Sequence, residues 1–485
     1  MFTKELLTSL LPVAPAVGLI ISGCAILIAW MFQPKSEDTA ERPSNVWAWA
    51  GLAALIIVWG SWSLSGSTAL DTESTLFRSD VVSRGGTHLA LLAGCLVAAI
   101  TINRSPAGYG AEFHSCLLFL VSGLCFVSAA TDLTTLYLGL ELVSIPTILL
   151  LAISRRDDAG MESTLKYFAL SAFSSAIFLM GCSYLFGIAG STKISTIIST
   201  VAAAPSIASY IAFALVLAGL AFRVTAVPFH FYAPDVFAGC SLPIGGLLST
   251  LPKVAGFVAM IRLLGGPELQ LGLSPVTLNT IVVLALITMT FGNFAALAQT
   301  NCRRLLAYSS VAHSGYLLMG LAAALASGSS AQSVIIYLSA YIIMTLGFFA
   351  GVTAIHDRTD ENLDLNDLQG VTQKNLMIGA SLTICILSLI GIPITAGFWG
   401  KLMILRDLIA PQNTLLLVGA IAMVANSAIG AVYYLSMLIR VNSAKQASNG
   451  EETAATPLSL DLPAAATCVF CAATTILWFI VPKWM

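Results

Sequence analysis

The chain reads as an all-α polytopic membrane protein of about 14 transmembrane helices, and three observations carry that reading. Of its 485 residues, 57% are hydrophobic and only 9% are charged, where a soluble chain carries about 25%. Its apolar residues gather in runs close to the roughly 20 needed to cross about 30 Å of hydrocarbon. Two of those runs, LAFRVTAVPFHFYAP (220–234) and LSLIGIPITAGFWGK (387–401), are broken by proline beside small residues and each keeps a basic residue. Paired broken helices of this kind point to an inverted-repeat transport core.

Taken in order, the runs are 8–32, 46–65, 85–103, 113–130, 133–153, 162–187, 206–232, 242–264, 276–299, 304–325, 332–355, 376–408, 414–440 and 461–482. The first follows Lys4 and Glu5 and is apolar from Leu6 to Phe32, too long for a signal-peptide core, so it reads as a retained helix. Polar stretches at 34–45, 356–367 and 443–453 punctuate the runs, and none is long enough for a folded soluble domain. Positive residues alternate between loops. One set holds Lys35, Arg42, Arg104, Arg155, Arg156, Arg303, Arg304, Arg358, Lys374, Arg440 and Lys445; the other holds Lys4, Arg78, Arg84, Lys193, Arg262 and Lys483. The richer set is expected in the cytoplasm, which places both termini outside.

Composition also narrows the chemistry. The net charge of −2 and the lack of a basic run give no reason to expect nucleic acid. The ten cysteines are scattered through apolar segments, and the Cys468–Cys471 pair reads as two small buried residues one turn apart. Neither a four-cysteine cluster pattern nor a nucleotide-binding glycine motif is present, so no metal, cofactor or cluster is expected on this chain.

The informative residues are ionisable groups inside apolar runs, which hydrocarbon tolerates only when they are paired, hydrated or functional. Glu141 is flanked by apolar residues on both sides. Lys166 follows Glu162 by four, so a surface pair competes with a buried role. Arg223 precedes Pro228 and stays charged at any physiological pH, so it can hold a counter-charge but not release a proton. His230 can load and unload a proton. Asp235 reads as either a helix cap or an accessory group. Lys253 sits mid-helix, where desolvation suits an amine to proton exchange. His313 and Lys401 complete the set. Residues of these types at similar depth in different helices suit a lateral proton path better than a single substrate pocket.

Around these residues the sequence resembles a known family. GLAFRVTAVPFHFYAPDVFAG…PIGGLLSTLPKVAGF, LGLELVSIPT, ESTLKYFALSAFSSAIFLMG, RRLLAYSSVAHSGYLLMG, LQGV, SLIGIPITAGFWGKLMIL and AVYYLSML are similar, in order, to the antiporter-like membrane subunits of proton-pumping respiratory complex I. The N-type subunits are the nearest among them. The resemblance covers roughly 110 to 440 and implies 14 helices with two inverted five-helix repeats, each with one interrupted helix. It divides the chain into N-terminal helices (1–110), a first repeat (111–265), a second repeat (275–440), and a linker with the last helix (441–485). It places Glu141, Lys166, Lys253 and Lys401 at the family's membrane glutamate and lysines, and His230 and His313 at its histidines. It implies that NADH, FMN, iron–sulfur clusters and quinone belong to partner subunits, and that the chain sits in a bacterial inner membrane beside an M-type neighbour and small K-, J- and A-type subunits. Two residues depart from the family pattern: Arg223 stands where lysine is usual, and Tyr232 where tryptophan is usual. The competing readings are a cation/proton antiporter subunit, a membrane-bound hydrogenase subunit and a passive membrane scaffold.

Overall fold

The computed structural model describes residues 11–33, 45–64, 76–106, 108–264, 275–327, 331–356, 363–443 and 460–480. Its helices are α1 (Ala14–Met31), α2 (Asn45–Leu64), α3 (Val81–Ile100), α4 (Gly110–Ala129), α5 (Leu133–Ser154), α6 (Asp158–Ala189), α7 (Ile194–Ala203), α8 (Ile207–Arg223), α9 (Ala233–Gly239), α10 (Leu242–Leu264), α11 (Pro275–Leu297), α12 (Cys302–Ser327), α13 (Gln332–Ile355), α14 (Leu376–Ile390), α15 (Ala396–Ile409), α16 (Thr414–Asn442) and α17 (Leu462–Ile480). Single turns at Leu11–Val13, Leu365–Leu368 and Val371–Lys374 complete the helical structure. β-structure among the described residues is limited to isolated bridges.

Among the described residues, 11 helices are long and apolar enough to cross a membrane. Three of the expected runs fall outside that group. Run 206–232 is helical only to Arg223 and resumes as α9; run 376–408 is cut at 391–395 into α14 and α15; run 461–482 is described as α17. One helix, α7, lies outside every expected run. It is too short to span, and it packs on a single face of Ile194, Ile197, Ile198 and Val201. The outer surface is apolar: Ile57, Leu165 and Ile421 are 69%, 66% and 72% exposed, which suits contact with lipid rather than water.

Burial is uneven across the bundle. The span of α10 is buried along its whole length, so the helix carrying Lys253 is the axis of the fold. Several helices start on polar caps: Asp80 accepts from Ser83 N at 2.8 Å and Asp132 from Thr134 N at 2.7 Å, while Ser206 forms a capping box at α8.

Basic residues tie the loops to neighbouring segments. Arg104 binds Asp461 at 2.8 Å and the His356 carbonyl at 2.8 Å, tying three loops together. Arg303 donates to Cys240 O at 3.0 Å, Arg304 reaches Asp235 at 3.1 Å, and Gly370 N donates to Arg440 O at 3.4 Å. Elsewhere Arg262 forms a two-pronged pair with Asp80 at 2.6 and 2.7 Å, and the backbone at Lys193 pairs with that at Asp132 in an isolated bridge. Burial raises the Asp80 carboxyl, but Arg262, the Ser83 amide and Arg78 outweigh it and hold the group below the ordinary carboxylate range. Lys4, Lys35, Arg42, Arg358, Lys445 and Lys483 lie outside the described residues.

Candidate functional site

The first broken helix ends at Arg223, five residues before Pro228. Backbone 224–232 then passes through Thr225 at φ 55 and the cis Val227–Pro228 bond before α9 begins. Of the other prolines in the stretch, Pro252 lies inside a continuous α10. Carbonyls freed at the break are taken up locally: Ala226 N donates to Ala221 O at 2.8 Å, and Tyr232 Oη donates to Phe222 O at 3.1 Å. Tyr232 is therefore more than a packing variant, because its hydroxyl holds the end of α8.

Arg223 caps that end as a cation at the negative pole of a helix. It is 7% exposed. Its Nη1 donates to Leu140 O at 3.0 Å and to Ser144 Oγ; its Nη2 donates to Glu141 Oε1 at 3.0 Å and Ser175 Oγ at 3.3 Å. Ser175 Oγ donates in turn to Glu141 at 2.5 Å. The planar fork thus binds four oxygens of α5 and α6, which a point-like ammonium cannot reproduce.

A second set of polar groups begins at Thr225, two residues after Arg223. Thr225 Oγ1 lies 3.4 Å from Ser314 Oγ, and Ser314 Oγ donates to Ser310 O at 3.1 Å. Lys253, 1% exposed, donates to that same carbonyl and to Ser310 Oγ at 2.6 Å, with its amine 4.9 Å from the centre of the Tyr341 ring. Tyr341 Oη donates to Ser310 Oγ at 3.0 Å. Beside it, His313 is held by both ring nitrogens: Nδ1 lies 2.7 Å from Tyr337 Oη and Nε2 3.1 Å from Tyr434 Oη. Tyr434 is also hydrogen-bonded to Ser309.

The second broken helix follows different rules. α14 ends at Ile390, and the chain turns through Gly391 at φ 87 and Ile394 at φ 83 into α15. Glycine suits the first position twice over: φ is positive, and a Cβ would fall 3.2 Å from Lys401 Nζ. Lys401 reaches back from α15 and donates to Ile390 O at 2.8 Å and Leu389 O at 3.4 Å. Its amine lies 5.2 Å from the centre of the Tyr316 ring. Every hydrogen bond made by Lys253 and Lys401 goes to a neutral oxygen.

Two expected residues lie elsewhere. Lys166, 40% exposed, bonds Glu162 at 2.7 Å and Asp235 at 2.8 Å. Asp235 also meets Arg304, so both belong to a loop-side ion cluster rather than the buried line. Asp235 serves there as the bridge between two cations rather than as a helix cap. His230 is 9% exposed, stacked edge-on against Phe291 at 4.5 Å, and its Nδ1 has no hydrogen-bond partner. Glu141, Arg223, Lys253, His313 and Lys401 are brought together. The serines and tyrosines that join them were not singled out from sequence, since neutral hydroxyls in apolar runs give no signal until a partner is in place. Cys468 and Cys471 are free, buried thiols packed against Gly347 and Gly351 of α13.

Known proteins resemble this chain in sequence and fold. Residues 130–430 match the family described as NADH:quinone oxidoreductase/Mrp antiporter, TM. The NADH-quinone oxidoreductase subunit N of Desulfovibrio desulfuricans is 32% identical over 99% of this chain and 95% of its own length. That of a Geobacillus species is 34% identical over 96% and 95%. A chain of respiratory complex I from Thermus thermophilus superposes with a TM-score of 0.80 at 28% identity, covering 97% of each chain. A chain of the Mrp complex from Dietzia sp. superposes at 0.81 with 20% identity over 99% and 95%, a likeness of fold alone. The chain belongs to the NADH-quinone oxidoreductase subunit N family of antiporter-like membrane proteins.

Proposed function

We propose that this chain is a proton-translocating membrane subunit of NADH-quinone oxidoreductase, and that Glu141, Arg223, Lys253, His313 and Lys401 form its path. The observation that carries the reading is the pair of buried lysines held only by neutral oxygens and aromatic faces. An unpaired buried charge is costly, so the protonation of such an amine responds to any charge placed nearby. Two unit charges at 4 Å interact by about 4 kcal/mol at an effective dielectric near 20. The effect falls off with distance, so strengthening or releasing the Glu141–Arg223 pair biases the loading of Lys253 from beyond the Thr225, Ser314 and Ser310 oxygens by less than that contact value. Arg223 acts as a fixed positive charge, and Glu141, His230 and Lys253 exchange protons in the first half. His313 and the tyrosines around it carry the change to Lys401. Lys166 and Asp235 act at the loop-side cluster, apart from the buried line.

The same reading treats 111–265 and 275–440 as two inverted repeats, each with one of the broken helices. It assigns NADH, FMN, iron–sulfur clusters and quinone to partner subunits, with an M-type subunit and small K-, J- and A-type subunits as neighbours in a bacterial inner membrane. The loops bearing Arg104, Arg155, Arg303 and Arg440 then face the cytoplasm, and both termini face outward.

The test is the whole complex in proteoliposomes with Lys253→Met or Lys401→Met. Pumping per electron is expected to fall by roughly half or more while the complex still assembles. Unchanged pumping in both variants would sink the reading, as would recovery of the chain in an assembly that exchanges cations and lacks quinone reduction.

A further inference from the structure

We infer that a cleft at the loop ends of α11 and α16 holds the headgroup of a zwitterionic phospholipid with a primary ammonium, a phosphatidylethanolamine. The inference goes beyond the proposed function and rests only on the chain lying in a membrane. A cavity of about 350 Å³ opens at this place, within the roughly 300–1,000 Å³ of small-molecule sites. Its two helical walls grade from apolar to polar in the same direction. On α16, Val432, Ser436 and Arg440 recur at every fourth residue, a single stripe about 12 Å long that ends in a guanidinium near the helix terminus. On α11, Ala296 and Leu297 close the helix, and the polar Gln299 and Thr300 follow. Val432 and Leu297 are exposed, so the apolar end of the cleft is open to lipid.

The polar end is held in place by backbone. Leu365 N donates to Thr300 O at 3.1 Å and Cys302 N to Leu363 O at 2.9 Å, which fixes the segment bearing Asp364 and Asn366. Gly370 N donates to Arg440 O at 3.4 Å and ties the end of α16 to the same segment. The lining carries one cation, Arg440, and one anion, Asp364. Arg440 gives Nη1 to Ser436 Oγ, and neither charge forms a salt bridge with another described residue. Each is therefore available to a ligand charge of opposite sign. The guanidinium fork matches phosphate oxygens, and the carboxylate matches an ammonium that donates hydrogen bonds. The acyl chains leave past Leu297 and Val432. A headgroup with phosphate alone would bring a second anion beside Asp364 without a counter-charge. A trimethylammonium headgroup has no N–H to give to Asp364 or to the Asn366 carbonyl oxygen.

The test uses the native assembly that contains this chain, purified in mild detergent. It is mixed with phosphatidylethanolamine carrying a diazirine near the headgroup end of one acyl chain, irradiated, and mapped by peptide mass spectrometry. Label is expected within 296–300 and 432–440. Unlabelled phosphatidylethanolamine is expected to compete roughly tenfold better than phosphatidylcholine or phosphatidylglycerol, the factor that one hydrogen bond to a charged group carries. Asp364→Asn is expected to remove the preference over phosphatidylglycerol, and Arg440→Gln to weaken labelling at both segments. Absence of label from both segments overturns the inference, because another occupant then covers the cleft. Equal competition by the three lipids overturns it as mere bilayer contact, and competition by inorganic phosphate as strong as that of the lipid overturns it as a free-anion site. The competition in the native assembly decides even where neither variant assembles.

Discussion

The two broken helices solve the same problem with different cations. At the first, the basic residue precedes the break, lies at the helix end and meets a carboxylate, with Arg223 bonded to Glu141 at 3.0 Å. At the second, the basic residue follows the break and reaches back to the carbonyls it exposes, with Lys401 bonded to Ile390 O at 2.8 Å and no acid in its shell of hydrogen bonds. One site is a charge pair whose cation cannot titrate; the other is a titratable cation with neutral partners. The difference teaches that a helix break in a membrane creates a cation site by freeing carbonyls, and that the neighbouring helices decide whether the cation is fixed or exchangeable.

The comparison breaks first at Glu141. Glu141→Gln leaves the Arg223 guanidinium buried beside neutral groups only, and removing one partner of a buried pair costs about 3–5 kcal/mol. Less assembled complex and the larger part of pumping lost are expected, measured by native electrophoresis and by proton uptake per electron. Full pumping in Glu141→Gln would show that the pair is structural. Arg223→Lys sharpens the comparison with a smaller effect. It keeps the charge but loses most of the four-oxygen fork, at about 1.5–3 kcal/mol for each charged hydrogen bond not remade. Thermal stability is expected to drop while protons pumped per electron stay the same. A large change in that ratio would make the position a titrating one and remove the contrast between the two halves. The smallest effect is expected at Lys166, whose ion pairs are partly exposed and of a kind worth about 0–1 kcal/mol. Lys166→Ala should leave pumping near that of the native complex; a loss like that of Lys253→Met would return it to the buried line.

How far each residue could be read depended on its chemistry. Glu141, Arg223, Lys253 and Lys401 stand out in sequence because a charge in an apolar run needs a reason. The Pro-broken segments stand out because proline removes a donor. Lys166 stays ambiguous on paper, since Glu162 four residues earlier offers a surface partner and sequence gives depth but not facing; the packing of α6 beside α9 sets it against Glu162 and Asp235. The break after Arg223 comes earlier than Pro228 suggests, because Tyr232, Thr225 and the Glu141 pair stabilise an open helix end there.

The sequence by itself determined the solvent, the class of fold, the helical runs and the intramembrane charges, because these follow from local composition and from the cost of burying polar groups in hydrocarbon. Tertiary structure decided which charges meet and which neutral hydroxyls join them. Those depend on segments far apart in the chain, 82 residues for Arg223 and Glu141 and 125 for Ser309 and Tyr434, and no local pattern encodes a partner that distant.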